Sequence, residues 1–588
     1  MRSALLPLTL AILPGCDGST SKDDPVEPEE DTDGDGYTES EGDCVPDDER
    51  VHPGAEELCN GIDDNCDGQV DEGLDEEWFP DADGDGFGSD SESTFSCSRP
   101  ADHVPNAEDC DDSSALTHPG ANEYCDGIDN DCDGQSDPTA CRPLESADFR
   151  FDGLGERHKL GHVVAGLGDL DGDGYGDFAL GAPVADLTGI PTGSSWFFDG
   201  PLDADTTLED AQARFDGTHL DEWAGWSLSA AGDVDQDGYG DVIVGAWGEP
   251  TAGSEAGAAY VLRGPLEGPL TGADAWARWR GESVGDCAGL AVAAAGDVDA
   301  SGAAHLLIGA ANADDAGYSS GAAYLVAGAT SGTVSLSTAR LRLRGVAEGD
   351  QVGAAVAGVG DIDGDGRADV AVSAPGSSLG ASRAGAIFVL TDAIPGSFTA
   401  EEAAVAILTG GAEGDHAGAA LSGFGDFNGD GYGDFLVGAP DQGDGGVGAG
   451  AAYVVAGPVL GTSSLRDAHA RIIGRLPADH AGNAIDLAGD FDGDGEQDIL
   501  VGAYIEDSGG LNAGAAFLVR GPVTGTRYLS DADAGFIGEA ESDLAGWSAA
   551  SAGDVDGDDL DDVLIGAPQQ DRGGADAGAA YLLYAADF

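Results

Sequence analysis

Asp169, Asp171, Asp173 and Asp177 fall within nine residues of the stretch GDLDGDGYGDFALGAP. Carboxylates held this close repel by roughly 4 kcal/mol per pair at an effective dielectric of about 20, so the arrangement calls for a counter-charge. The spacing D-x-[DN]-x-[DN]-G-x-x-D offers side-chain oxygens at positions 1, 3, 5 and 9, a backbone carbonyl at position 7, and a glycine for the sharp turn. A short loop wraps a hard, oxygen-seeking cation in this way, and Ca2+ suits it best. Position 7 of this loop is Tyr175. The same grammar predicts cages at Asp233, Asp235, Asp237, Tyr239 and Asp241, and at Asp361, Asp363, Asp365, Arg367 and Asp369. It recurs at Asp426, Asn428, Asp430, Tyr432 and Asp434, at Asp490, Asp492, Asp494, Glu496 and Asp498, and at Asp554, Asp556, Asp558, Leu560 and Asp562. The loop from 297 to 305 keeps Asp297 and Asp299 but has Ser301, Ala303 and His305 at the remaining positions, and is expected to be empty or weak. Position 12 is apolar in every copy (Leu180 in the first), so these are not EF-hand loops.

The elements that must position these loops follow from their period. The first aspartates, at 169, 233, 297, 361, 426, 490 and 554, are 64 residues apart except for one step of 65. A glycine 24 residues after each opens an apolar segment: GSSWFF, GAAYVL, GAAYLV, GAIFVL, GAAYVV, GAAFLV and GAAYLL. Landmarks in fixed register denote a repeat architecture. Each unit reads as four short strands: one ending at the Asp loop, an apolar run after it (FALGA, VIVGA), the GAAYVL segment, and a piece such as ARFDG. Seven such units predict an all-β protein, a seven-bladed β-propeller. The rival β-helix of acidic repeats has a period of about nine residues. ADFRFDG, at 147–153, matches the fourth-strand pieces but precedes the first Asp loop, while the last unit ends in a third strand. Phe149–Asp152 is therefore predicted to supply the outer strand of the last blade and remove an exposed edge.

The run GDxDGDGxxDxxxGAP followed by GAxYV resembles the FG-GAP repeat of integrin α-subunit propellers, over 147–588. The resemblance implies structural metal loops on one face, between the first and second strands of each blade. It places ligand contacts on the opposite face, in the loops joining strand four to strand one and strand two to strand three. Ten residues before each first aspartate stand Lys159, Trp223, Cys287, Gln351, His416, His480 and Leu544. This one slot carries seven chemistries and is a candidate ligand surface. The residue before it is acidic in six blades (Glu222, Asp286, Asp350, Asp415, Asp479 and Asp543), a regularity that points to a turn.

Residues 1–16 have an apolar stretch ending at Cys16 and read as an export signal. The signal resembles the lipobox of bacterial lipoproteins, which would make Cys16 the lipidated residue. Residues 17–30 read as a flexible acidic tether. Residues 31–145 hold a second duplication: NGIDDNCDGQVDE at 60 matches DGIDNDCDGQSDP at 126, VHPGAEELC matches THPGANEYC, and DTDGDGY matches DADGDGF. This resembles the metal-binding motif of MopE-type secreted bacterial proteins. Its candidate ligands are Asp31, Asp33 and Asp35; Asp63, Asn65, Asp67 and Asp71; Asp81, Asp83 and Asp85; and Asp129, Asp131, Asp133 and Asp137. The loop at 81 also has Glu92 at position 12, but no helical pattern flanks it. Cys44, Cys59 and Cys66 align with Cys110, Cys125 and Cys132, while Cys97 and Cys141 are extra. The spacings are not paired CxxC and export favours disulfides over zinc, but the sequence does not choose a pairing. With few apolar residues, the module is expected to depend on disulfides and calcium.

Of the 588 residues, 112 are Asp or Glu and 23 are Lys or Arg, a net charge of −89 with no basic cluster, which excludes nucleic acid as a partner. The expectation is a calcium-binding adhesion or ligand-binding protein of the cell envelope or surface, lipid-anchored or secreted. It is taken as a monomer with an extracellular protein or glycan ligand, and touches membrane only through a lipid anchor. A structural cell-surface protein without a specific ligand is the alternative, and a hydrolase-associated propeller a further one. No GxSxG, HExxH or P-loop is present, so no enzyme is expected.

Overall fold

The computed structural model describes residues 30–91, 93–115, 117–121, 128–134, 141–187, 189–391 and 394–585. Cys16, Cys125, Glu92 and Asp137 lie outside them. The chain forms two compact units, Met1–Ala121 and Asn122–Phe588.

The second unit is built from seven sheets whose four inner strands are antiparallel. In the first sheet, Val163–Gly168, Asp177–Ala182, Ser194–Phe198 and Ala213–Asp216 pair in sequence order. The second strand of every sheet is fully buried, for example Asp177–Ala182 and Asp241–Ala246, as its apolar run requires. The core is seven wedges, each filled by the facing sides of two neighbouring sheets. One wedge packs Phe149 and Phe151 beside the seventh sheet against Phe178 and Phe198 of the first, so the sheets close into a ring. The fold is the expected β-propeller. Around the axis the first strands crowd together, and glycine is obligatory at one such contact: a Cβ on Gly423 would lie 1.6 Å from the Gly358 carbonyl oxygen.

Ring closure follows the predicted route. Phe149–Asp152 pairs antiparallel with Ala579–Leu583 as the fourth strand of the last sheet. The structure adds a fifth strand that the four-strand reading did not contain. Gly268–Thr271, from the second repeat, runs parallel to Ala213–Asp216 of the first. Gly332–Ser335, Gly396–Thr399, Gly461–Ser464 and Gly525–Tyr528 do the same one sheet further on. These segments are short and largely exposed, so they carry no apolar periodicity to read. Cys141–Pro143 fills this role for the sixth sheet, so the sheet system begins six residues before the boundary read at 147.

The first unit has little regular structure: a three-stranded sheet of Glu76–Pro80, Thr94–Ser96 and His103–Val104. Val51 and Val104 are its only fully buried hydrophobic residues among those described. Disulfides Cys44–Cys66 and Cys59–Cys97 cross-link it, and Cys110 is disulfide-bonded as well; Cys132 and Cys141 of the second unit are also disulfide-bonded. Cys287 is the one free cysteine among the described residues, and it is buried.

Candidate metal centres and the opposite face

Each Asp loop joins the first and second strands of a sheet and is wound tightly by its own carboxylates. Asp169 Oδ1 accepts from the amides of Gly172 (2.6 Å) and Asp173 (3.1 Å), and Oδ2 from Gly174 (3.0 Å). Asp171 Oδ1 accepts from the Asp173 amide and Asp173 Oδ1 from the Tyr175 amide, both at 3.0 Å. The ninth residue, Asp177, lies at the start of the buried strand; its Oδ2 accepts from the Leu170 amide (2.6 Å) and Oδ1 from Gly200 (3.0 Å). The same bonds recur around Asp233 and Asp241, Asp426 and Asp434, and Asp554 and Asp562. Asp361 winds its loop likewise and Asp490 does so through Oδ2 alone, with Asp369 and Asp498 at the ninth positions. The sixth position is left-handed throughout: Gly174 has φ +97° and Asp559, where glycine is otherwise the rule, has φ +70°. The loops are also linked to one another. The amides of Gly176, Ala368, Gly433 and Asp561 donate to the carbonyls of Asp554, Asp297, Asp361 and Asp490 respectively, each in a neighbouring loop.

These cages fit a divalent cation. Inside them, Asp235 Oδ1 and Asp490 Oδ1 are buried without any hydrogen-bond partner, a costly state for a carboxylate oxygen unless a cation meets it. Burial pushes the ninth-position carboxyls of Asp177, Asp369 and Asp562 up to about 7, and those of Asp241 and Asp498 to about 6. Asp434 is raised by the same cause. Arginines reach some cages from outside. Arg263 pairs with Asp235 Oδ2 (2.8 Å) and Arg520 with Asp492 Oδ2 (3.1 Å); Arg263 leaves the inner Oδ1 of Asp235 free for a cation.

The third loop is built differently. Asp297, Asp299 and His305 lie close together. The Arg340 guanidinium sits 2.6 Å from Asp299 Oδ2, and the buried His305 places Nε2 at 3.8 Å from the same oxygen. A protein cation thus already faces the carboxylate, whose pKa is held low by Ser301, His305 and Arg340.

In the first unit the cages are closed from a distance. Asp81, Asp83 and Asp85 form one cluster, and Asp83 also joins Asp109 and Asp112. Asp83 Oδ2, Asp85 Oδ2 and Asp109 Oδ2 are buried and unpartnered. Asp31, Asp33 and Asp35 form the equivalent cluster, with Asp33 Oδ2 and Asp35 Oδ2 unpartnered. Asp43, which faces it, aligns with Asp109. Asp43, Asp109 and Asp112 escaped the sequence reading, which looked for closure at the ninth position. The available signal was the acid preceding the first aligned cysteine in both copies, GDC and EDC. Stacked pairs Tyr37–His52 and Phe87–His118 also repeat between the copies. Asp63 and Asp67 wind their loop as expected, with Asn65 accepting from the Asp67 amide. Asp71 is turned to the amides of Asn60 and Gly61, while Glu57 reaches the amides of Asn65 and Asp71. Asp129, Asp131 and Asp133, at the start of the second unit, cluster in the second copy of the motif.

On the opposite face, the slot residues Lys159, Trp223, Cys287, Gln351, His416, His480 and Leu544 all have left-handed φ, between +48° and +59°. The acids before them hold the turn by accepting backbone amides: Glu222 from His219, Asp286 from Ser283, Asp350 from Ala347, Asp415 from Ala412, Asp479 from Leu476 and Asp543 from Ala540. In the first sheet His158 takes that place and pairs with Asp186 at 2.9 Å.

Comparison with known proteins agrees with this geometry. The FG-GAP repeat family matches 161–198, 224–262, 352–390, 418–455, 481–519 and 545–583. These six stretches leave out the third sheet, the one with Arg340 at its loop. A family described as "Putative metal-binding motif" (Cu-binding MopE) matches 43–72 and 109–138. The chain therefore carries six FG-GAP repeats and a duplicated MopE-type motif. Among curated proteins it is 38% identical over 149 residues to integrin alpha-PS5 of Drosophila melanogaster, covering 24% of this chain and 14% of that protein. It is 35% identical over 101 residues to integrin alpha-5 of Xenopus laevis, covering 17% and 9%. It is 32% identical over 166 residues to phosphatidylinositol-glycan-specific phospholipase D of Bos taurus, covering 27% and 19%. The chain spans less than a fifth of the length of these relatives. Among the described residues no helix is long and apolar enough to cross a membrane.

Proposed function

We infer that this chain is an extracellular or surface-held binding protein whose ring is braced by Ca2+ in six Asp loops and meets its ligand on the opposite face. The observation that carries this reading is the pair of buried, unpartnered carboxylate oxygens inside the loops, Asp235 Oδ1 and Asp490 Oδ1. All-oxygen donors at this spacing favour Ca2+ over softer metals. The ion neutralises the acids and stiffens the hairpin between the first two strands; it takes no part in a reaction. The disulfides point to an oxidising compartment, and the similarity to integrin α-chains supports a binding role on a surface. Binding rather than catalysis also accords with a sequence that lacks the common nucleophile motifs.

The test is thermal melting of the full chain with calcium and with chelator, alongside metal analysis. Sites with Kd near 10⁻⁴–10⁻³ M add roughly 1.4 kcal/mol each at tenfold excess. Six in one ring add about 8 kcal/mol, a shift on the order of 10 °C for a domain of this size. A melting curve unmoved by chelation, with no calcium retained, overturns the reading.

A further inference from the structure

The face opposite the metal loops carries a continuous run of aromatic rings confined to part of the circle. Trp223, Trp226 and Trp247 of the second sheet lie mutually 4.2–5.5 Å apart between ring centroids. From Trp226 the run passes to His162 of the first sheet (4.3 Å) and on to Trp547 of the seventh (5.8 Å). Trp547 meets Tyr504 of the sixth edge-on at 5.0 Å, and Tyr504 meets His480 at 5.7 Å. The run ends at Asp441, whose carboxylate bonds His480 (3.1 Å) and His416 (2.6 Å). Every one of these side chains is half-buried.

The fold does not require these rings. Trp247 and Tyr504 stand where other repeats have Pro183, Pro375, Pro440 or Pro568. The positions of His162, Trp226 and Trp547 are filled by Leu290, Ala354, Ala419 and Asn483 elsewhere, on the same turn. The third and fourth sheets have no aromatic at any of these places. Four of the chain's eight tryptophans are thus gathered on one arc of a ring whose other sheets close without them.

We propose that this arc binds a neutral oligosaccharide, stacking sugar rings on the tryptophans and holding hydroxyls at Asp441. This rests on the reading of that face as the ligand face. The Nε1 atoms of Trp223 and Trp247 are enclosed, so these two residues expose carbon surface, which suits the C–H face of a pyranose. Asp441, flanked by two histidines, supplies directional acceptors at one end of that surface. An acidic polysaccharide is excluded by the net charge of −89.

Isothermal titration of the calcium-loaded full chain with cellohexaose, maltohexaose, chitohexaose and mannohexaose tests the proposal. At least one is expected to bind with a Kd at or below about 1 mM. Trp223→Ala and Trp547→Ala should each weaken that binding about tenfold or more, while Tyr318→Ala, an exposed aromatic outside the arc, should not change it. Trp223→Phe and Trp547→Phe keep a ring and retain part of the affinity, which separates stacking from misfolding. Failure of all four sugars to bind at millimolar concentration overturns the proposal, as does binding that survives both alanine changes, or a preference for choline over the sugars. If the sugars fail while chelation still lowers the melting temperature, the aromatic arc is refuted and calcium bracing stands.

Discussion

The two units of this chain use the same acidic loop grammar against opposite backgrounds. In the ring, each cage sits at the end of a buried strand and is closed by its own ninth residue, as Asp369 shows. The wedges of apolar side chains between sheets already hold that strand in place. In the first unit, Val51 and Val104 are the only fully buried hydrophobics described, and the cage at 81 is completed by Asp109 and Asp112 from more than twenty residues away. A cation held there would tie distant chain segments together, as the disulfides do. The comparison teaches that one motif can reinforce a core or stand in for one, depending on where its last carboxylate comes from.

The sharpest way to break that contrast is to remove metal and disulfides together. Chelation with reduction is expected to unfold the first unit outright while the ring keeps its sheets, read by hydrogen exchange or limited proteolysis. A protected first unit under those conditions would erase the distinction. Next in size is Phe151→Ala at the ring closure, a fully buried side chain between Phe178 and Phe198. It should cost about 3–5 kcal/mol by chemical denaturation, with the first unit unaffected.

The pH dependence comes third, and its sign separates the loaded from the stripped ring. Without metal, Asp177, Asp369 and Asp562 have folded-state values near 7, above the ordinary 3.8. The folded state then binds more protons than the unfolded one between those values. Their contribution is fully present below about pH 4 and is lost as pH rises through 7. With calcium bound, protons compete with the ion, so stability should fall as pH drops instead. Parallel melts with and without chelator should therefore show opposite slopes; equal slopes would mean that the ninth carboxylates are not ligands. Asp369→Asn sharpens this, being tolerated in chelator and harmful in calcium.

The smallest effects concern single loops. Asp109→Asn should remove about one bound ion from the first unit and Asp363→Asn about one from the ring, counted by metal analysis. Asp299→Asn should remove none, because its loop has Ser301 and His305 where the other loops have carboxylate or amide oxygens. Loss of an ion from Asp299→Asn would place a metal in the third loop after all.

Much of the ring was legible because repetition amplifies weak signals. The 64-residue period, the apolar run after each loop and the displaced ADFRFDG piece were enough to predict the sheets and their closure through Phe149–Asp152. The loops could be read residue by residue because their ligands are local: a nine-residue turn is determined by its own glycine and carboxylates. The acid before each slot residue was likewise readable as a turn, and Asp415 and Asp479 cap theirs as expected. The fifth strands were not readable, since Gly268–Thr271 is short, exposed and defined only by the neighbouring edge it meets. Asp43, Asp109 and Asp112 were missed for the same reason, their place in a cage depending on a return of the chain.

Sequence alone thus determined what lies within a turn or repeats at a fixed interval, because short-range sterics and hydrogen bonds act on neighbours. Tertiary structure decided what comes together across the ring. It brought Arg340 to Asp299, and it joined Trp226, His162 and Trp547 from three different sheets into one surface. The His162–Trp547 contact arises from closing the circle, which places residues hundreds of positions apart within a few ångströms, and none of these contacts leaves a mark in local spacing.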